Sequence, residues 1–437
     1  MESNKAVTGD STILKTIAKI APVDSDGIAF AKERQESLAK PPGSLGKLES
    51  IAVRLAGIVG SAGGRGKSNG VGAAGGGGTQ PESEIRPKPW ERDIEFDKTC
   101  VLVFCGDNGV AEQGVASAPQ SVTRAQTINF TRRLTGVGAL AESFGSELLI
   151  VDMGIKDPIP NELYDNTPFA DTHKIIDRSL GRGTCDISRG PAMTFEEAVK
   201  AMETGIEMAV AAAEAGYEII GIGEMGIGNT TTSAAVLSAL TGMSADTTCG
   251  RGGGVNNAGF NRKIEIVDSA SEEFRSGGGI IGKLSAGAGE ADGPEKADQA
   301  ERLERVLDVL ARCGGFDICA MTGAYLGAAA CRIPVVIDGY ISVVAALAAA
   351  VIEPQAKGYM FPSHRSAEPG YSLAIDELGL EPFLDLEMRL GEGSGCPIAF
   401  TIIKGAWDVM RNMATFDEAE INDDYLEEIR NTKEFRG

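Results

Sequence analysis

Five short, continuously apolar runs constrain the fold of this 437-residue chain more than any other feature. They occupy residues 100–105, 148–151, 219–222, 318–321 and 335–337. A strand with one wet face alternates apolar and polar residues. A strand without a polar face is covered on both sides, as in a parallel sheet between helices. A glycine closely follows each run, and most runs then lead into a helix-like segment. In one such helix Thr194 and Glu197 form a capping box, and Gly216 marks the stop after about Ala215. Strand, glycine loop and helix, repeated, predict an α/β fold with a parallel sheet flanked by helices. Ligands in such sheets bind outside the carboxyl ends of the strands, where the motifs at Gly106, Gly223, Thr322 and Asp338 fall.

The sheet region is expected over residues 99–385. Before it, residues 1–59 read as helical. Ile13, Leu14, Ile17 and Ile20 recur at helical spacing, and Ser44 opens a further helix with Leu45, Leu48, Ile51, Leu55 and Val59 on one face. From 60 to 98 the composition shifts. Gly75-Gly76-Gly77-Gly78 and scattered polar residues cannot bury enough apolar surface, so a flexible insert is expected, chiefly over 62–88. Its Gly66-Lys67-Ser68 resembles the end of a Walker phosphate loop. Ser61 holds the place of that motif's first glycine, and no buried strand leads in. A second flexible insert is expected at about 276–298, and both are expected to lie away from any site. Residues 386–437 turn helical again.

Composition removes several function classes. A formal charge of −21 opposes binding to nucleic acid or to an anionic membrane. No apolar run reaches the length of a membrane span. The N-terminus has neither the apolar core of a signal peptide nor the arginines of a transit peptide, which points to the cytoplasm. The eight cysteines include no CxxC pair, and several sit in apolar runs, as reduced buried thiols do. Only His173 and His364 are available as imidazoles, so no His-rich metal site is expected and proton transfer falls to carboxylates.

Glu392 is the foremost such carboxylate, in Met388-Arg389-Leu390-Gly391-Glu392-Gly393-Ser394-Gly395. The glycines let a ligand approach the backbone and leave the carboxylate poorly shielded. Desolvated by an apolar ligand, such a Glu gains basicity and suits general-base work. A solvated Glu on a Gly-rich surface turn also fits these residues. The block Gly223-Glu224-Met225-Gly226-Ile227-Gly228-Asn229-Thr230-Thr231 follows a buried strand and opens a helix near Asn229, a setting that favours anions. Gly221, Gly223 and Gly226 fall at the GxGxxG spacing of dinucleotide enzymes. Those enzymes place an acidic residue about 20 positions on, at the end of a second strand. Here Thr241-Gly242 stand in that region, with no strand-like run before them. Gly250-Arg251-Gly252-Gly253-Gly254, with Lys263 downstream, suits a phosphate, and a plain flexible loop fits equally.

Further blocks are Lys40-Pro41-Pro42-Gly43-Ser44-Leu45-Gly46-Lys47-Leu48-Glu49, Gly106-Asp107-Asn108-Gly109-Val110, Gly314-Gly315-Phe316-Asp317, Met321-Thr322-Gly323, Ile337-Asp338-Gly339 and Pro362-Ser363-His364-Arg365-Ser366-Ala367-Glu368. With the Glu224 and Glu392 blocks they run collinearly from about Lys40 to about Ala414. In them the chain resembles the nicotinate-nucleotide–dimethylbenzimidazole phosphoribosyltransferase family, which makes the lower-ligand nucleotide of cobalamin. The resemblance implies a Rossmann-like sheet domain, a small helical domain built from both chain ends, and a homodimer. It implies nicotinate mononucleotide and dimethylbenzimidazole as substrates, with no cofactor and no metal. Carried over by residue, it makes Glu392 the catalytic base, with Glu224 facing the ligand. It puts the nucleotide at Gly226, Gly228, Asn229 and Thr230, and its phosphate at Gly252, Gly254 and Lys263. It puts the aromatic base at Gln126, Ala118 and Leu390, and a substrate contact at Ser363 beside His364. Asn108 stands where the family has His, Ala118 where some relatives have Ser, and Arg251 with three glycines departs from the family wording. These departures spare Glu392, which a non-catalytic homologue would be expected to lose.

Overall fold

The computed structural model describes residues 11–61, 87–286 and 299–426. They divide into two compact units. One contains 11–21, 98–286 and 299–400; the other contains 22–61, 87–97 and 401–426.

The larger unit is built on a six-stranded sheet: β1 Thr99–Gly106, β2 Glu147–Gly154, β3 Ile175–Asp177, β4 Ile219–Met225, β5 Val335–Ile337 and β6 Met360–Pro362. Every pairing is parallel and the order is β3-β2-β1-β4-β5-β6. That is the doubly wound dinucleotide-fold order, whose direction of winding reverses between β1 and β4. In β1 all eight residues are buried. Its Val101, Leu102, Val103 and Phe104 are fully enclosed, each worth about 1.5–3 kcal/mol of apolar burial. Phe104 pairs with Glu224 and Cys105 with Met225, so the carboxyl ends of the two central strands lie side by side.

One expected strand is a helix. Residues 318–321 lie within the Phe316–Ala330 helix, so Thr322 is inside that helix and not at a strand end. Phe316–Ala329 are all buried, and a helix enclosed on every side shows no 3.6-residue alternation to distinguish it from a covered strand. The Thr194–Glu197 capping box is present, and the helix Phe195–Glu214 ends at Ala215 and a left-handed Gly216. Part of the second expected insert is also helical, over Gly279–Ala286. Residues 62–86 and 287–298, where most of both insert expectations fall, lie outside the described residues. Of the eight cysteines, Cys185 is exposed, Cys331 half-buried and the others buried. Among the described residues no helix is long and apolar enough to cross a membrane.

The second unit is a helical assembly drawn from both sides of the sheet sequence. Its helices are Ser25–Ser37, Lys47–Ser61 and the later part of Gly395–Asn412. Trp407 donates to the Ile94 carbonyl at 2.8 Å and packs edge-on against Phe96, while Arg34 ties the Met410 and Met413 carbonyls. The Lys40–Glu49 block closes on itself here. Glu49 takes the Lys40 ammonium at 2.7 Å and the Leu45 N–H at 3.1 Å, which is a structural use of that motif. The boundaries expected at 59/60 and 385/386 differ from those of the units. Residues 11–21 and 386–400 belong to the larger unit.

Candidate active site

Glu392 stands on a loop of unusual backbone. Gly391, Glu392 and Gly393 have φ of 86°, 65° and 87°, three successive left-handed residues. A non-glycine residue persists there only when its surroundings hold it. The Ser394 N–H closes onto the Gly391 carbonyl and the Cys396 N–H onto that of Gly393, leading into the Gly395–Asn412 helix. Asp338, directly after β5, accepts the Gly393 N–H at 3.1 Å and the Gly395 N–H at 2.7 Å. The Glu224 carboxylate accepts the Glu392 N–H at 3.4 Å.

The loop lies against β4 because β4 has no side chains there. A Cβ on Gly223 would stand 2.3 Å from the Glu392 carbonyl oxygen, and one on Gly221 would stand 2.5 Å from Cys396 Cβ. The first two glycines of the spacing that mimics a dinucleotide fingerprint therefore serve close packing on β4, Gly223 of the Glu392 loop and Gly221 of the helix that follows it.

The Glu392 carboxylate is buried, at 4% exposure, against the start of the Gly136–Phe144 helix. Its Oε2 accepts the Val137 N–H at 3.0 Å and its Oε1 accepts Gln126 Nε2 at 3.4 Å. Asn129 in turn donates to Gln126 Oε1 at 3.0 Å, which fixes the amide's orientation. Burial raises the carboxyl pKa against the lowering effect of the Val137 and Gly136 N–H groups. Leu390 covers this helix start, with its Cδ2 2.3 Å from where a Gly136 Cβ would be, yet it is 60% exposed. A buried, raised-pKa carboxylate beside an open apolar side chain is equipped to take a proton from an apolar heterocycle.

Two more carboxylates, Glu224 and Asp338, hold the loop, and a third, Asp317, is joined to Glu224 through Asn229. Asn229, the first residue of the Asn229–Thr241 helix, donates through Nδ2 to Glu224 and, at 3.3 Å, to Asp317. Burial first, then the charge of Asp317, pushes Glu224 up to about 8, and burial pushes Asp317 up to about 6. Asp338 is also raised by burial, with His364 opposing at 3.9 Å. Among the described residues no group of three His, Cys, Asp or Glu is disposed to hold a metal ion. Glu224 should mark the pH dependence of folding. Between about 4.5 and about 8 the folded state holds a proton here that the unfolded chain releases, so stability falls as pH rises. Glu224→Gln removes that dependence. Thermal melts from pH 5 to 8 should show wild type losing ground to the variant, and a pH-independent gap would contradict the assignment.

Thr230 begins a second cluster. Lys263, fully buried, donates to Thr230 Oγ1 at 3.0 Å and to the Gly250 carbonyl at 2.9 Å. Burial lowers its pKa. Gly252 and Gly254 have φ of 53° and 106°, and a Cβ on Gly254 would meet open space. Gly228, with φ 100°, precedes the helix start, and a Cβ on Gly226 would stand 2.3 Å from the Gly106 carbonyl. Arg251 is occupied by the Val255 carbonyl and by Asn257 of the Asn257–Arg275 helix, and lies over the Phe260 ring.

The structure thus gathers Glu392, Glu224, Gln126, Leu390 and Asn229 at the ends of the central strands, and joins Thr230, Gly252 and Lys263 beside them. Ser363 lies behind the Glu392 loop. Its hydroxyl meets His364 Nδ1 at 3.0 Å and would stand 2.6 Å from a Gly395 Cβ. Ala118 is half-buried on the approach to the Ser121–Thr131 helix, and none of the contacts above reaches it. Its neighbour Ser117 faces Gly253. Asp317 and Asp338 were not among the expected site residues. Asp338 had a readable signal, an acid closing a buried apolar strand. Asp317 closes the Gly314–Asp317 block, but the run after it reads as a strand, which hid its place in the first turn of a helix.

The sequence profile of the DBI_PRT phosphoribosyltransferase family matches residues 20–71, 89–289 and 291–421. A nicotinate-nucleotide–dimethylbenzimidazole phosphoribosyltransferase of Clostridium perfringens is 46% identical over 411 residues, covering 94% of this chain and 96% of the relative. One from Acetivibrio thermocellus is 39% identical, covering 93% and 97%. The crystal structure of CobT from Thermus thermophilus superposes with a TM-score of 0.73 at 30% identity, covering 91% of this chain and 99% of that one. Likeness of that extent in sequence, on the same fold, assigns the chain to one group: it belongs to the nicotinate-nucleotide–dimethylbenzimidazole phosphoribosyltransferase family.

Proposed function

We propose that this chain transfers the phosphoribosyl group of nicotinate mononucleotide to 5,6-dimethylbenzimidazole. The products are α-ribazole 5′-phosphate and nicotinate, in assembly or remodelling of the cobalamin lower ligand. The observation that carries this reading is the buried, raised-pKa Glu392 carboxylate held beside Leu390. One benzimidazole nitrogen attacks ribose C1′ while the C1′–nicotinate bond breaks. Glu392 takes the proton from the other nitrogen, which prevents a cation from building on the ring. The bonding pair leaves with nicotinate as a neutral pyridine nitrogen. A β nucleotide gives an α product, so attack is on the face opposite nicotinate, and holding both rings in line supplies an entropic gain.

Gln126 orients the Glu392 carboxylate, and Leu390 with Ala118 lines the base. Gly226, Gly228 and Asn229 hold the nucleotide, with Glu224 facing it. Lys263, Thr230, Gly252 and Gly254 take the phosphate, an arrangement that a buried ammonium beside left-handed glycines supports. Ser363 completes the substrate contacts, and the reading carries with it a cytoplasmic homodimer.

Purified protein given nicotinate mononucleotide and dimethylbenzimidazole should release nicotinate and α-ribazole phosphate in equal amounts, measured by mass spectrometry. No release of either would sink the reading. Ala118 bears on the choice of base. A pocket without the hydroxyl leaves no buried donor unpaired by the wrong ligand, so it should also accept unsubstituted benzimidazole. Ala118→Ser should narrow that range. The readout is the ratio of kcat/KM for the two bases, and an unchanged ratio would remove position 118 from the pocket.

A further inference from the structure

We infer that Asp338 is a positioning residue for the base: its two carboxylate oxygens clamp the backbone of the loop on which Glu392 stands. The inference rests on the proposed role of Glu392. Asp338 follows β5, the strand next to β4, and is 2% exposed. Each oxygen takes one loop N–H, Oδ2 from Gly393 at 3.1 Å and Oδ1 from Gly395 at 2.7 Å. One of these N–H groups belongs to the last of the left-handed residues 391–393, and the other follows two positions on.

A backbone bent in this way relaxes unless something holds it. The longer bond from the Glu392 N–H to Glu224 holds it from the other side, at 3.4 Å. The requirement is specific to a carboxylate. It offers two acceptor oxygens and no donor, matching two N–H groups that offer no acceptor. Charge-assisted bonds of this kind are shorter and stronger than neutral ones. Asparagine has the same shape but turns an NH₂ toward one of the two N–H groups, which unseats one end of the clamp. His364 lies 3.9 Å from Oδ1 with its Nδ1 on Ser363, too far to replace either loop N–H as a partner of the carboxylate.

A residue that acts through Glu392 must matter less once Glu392 is disabled, whereas a residue that merely supports the fold costs the same in both backgrounds. The test is therefore a double-mutant cycle of wild type, Asp338→Asn, Glu392→Gln and the double variant. Nicotinate release is followed, with KM for nicotinate mononucleotide measured in each. Asp338→Asn alone should lower kcat about 10–100-fold and leave that KM within about threefold. In the Glu392→Gln background it should cost less than about threefold, the residue of a coupling carried by the shared loop. Equal losses in the two backgrounds, or an unchanged kcat in the single variant, would overturn the inference. Asp338→Glu keeps the charge and displaces the oxygens by one methylene, so the same cycle run with it decides the matter if the asparagine variant does not fold. A wild type that releases no nicotinate overturns the proposed function and this inference with it. An active wild type with equal losses overturns the inference alone.

Discussion

Replacing Glu392 by glutamine should leave nucleotide affinity within a few-fold and lower turnover by about 10²–10⁴, the range of general-base catalysis. Glutamine retains an oxygen for the Val137 N–H, so the side chain keeps its seat against the Gly136–Phe144 helix. What it loses is the capacity to accept a proton. The pH profile adds a second signature. The raised Glu392 pKa means that wild-type kcat falls as pH drops through that value, because the base becomes protonated. The variant should lack this acid limb. Turnover close to wild type, or an acid limb that persists, would move the base role elsewhere, and Glu224 would be the first residue to test.

Gly223→Ala should be nearly as damaging without touching any charged group. The added methyl would lie 2.3 Å from the Glu392 carbonyl oxygen, 2.7 Å from its carbon and 2.8 Å from the Gly393 nitrogen. All three are backbone atoms, so no side chain can swing aside. Either the strand deforms, at about 1–3 kcal/mol for overpacking, or the loop lifts. A displacement of about 1 Å at a reacting group costs on the order of 100-fold in rate, so activity should fall by about that much. Gly405→Ala is the control. It sits in the Gly395–Asn412 helix with nothing within 4 Å of the new methyl, and should be neutral or gain about 0.5–1 kcal/mol. Thermal melts and kcat on the two variants make the comparison. An active Gly223→Ala would mean that the loop tolerates movement.

The long central strands were legible in the chain because their covering on both faces leaves an uninterrupted apolar signature, as in β1 and β4. The outer strands β3 and β6 went unread because Asp177 ends the first and Pro362 the second, whereas the equally short β5 is wholly aliphatic. The 318–321 run failed for the opposite reason. Complete burial erased the periodicity by which helix and strand are told apart. At the site, isolated charges among glycines pointed to Glu392, and the helix start at Asn229 was readable from the strand-to-helix transition. The partnership of Asn229 with Glu224 and Asp317 was not. Asn229 and Asp317 stand 88 residues apart, and only the folded sheet brings them within hydrogen-bonding distance. The Gly221–Gly223–Gly226 spacing was visible, but its purpose was not, because the loop and helix that the first two of those glycines make room for lie far downstream.

The three left-handed residues at 391–393 also bear on how this protein can change over generations. Any side chain at 391 or 393 would be strained, and a Cβ at 391 would lie 2.5 Å from Glu224 Oε1, so single-residue drift around the base has almost no viable steps. The open positions are elsewhere, at the exposed Leu390 and the half-buried Ala118. On the proposed assignment of the site, acceptor preference can drift by exchange of side chains at Leu390 and Ala118 while the neighbouring Gly391-Glu392-Gly393 backbone stays fixed.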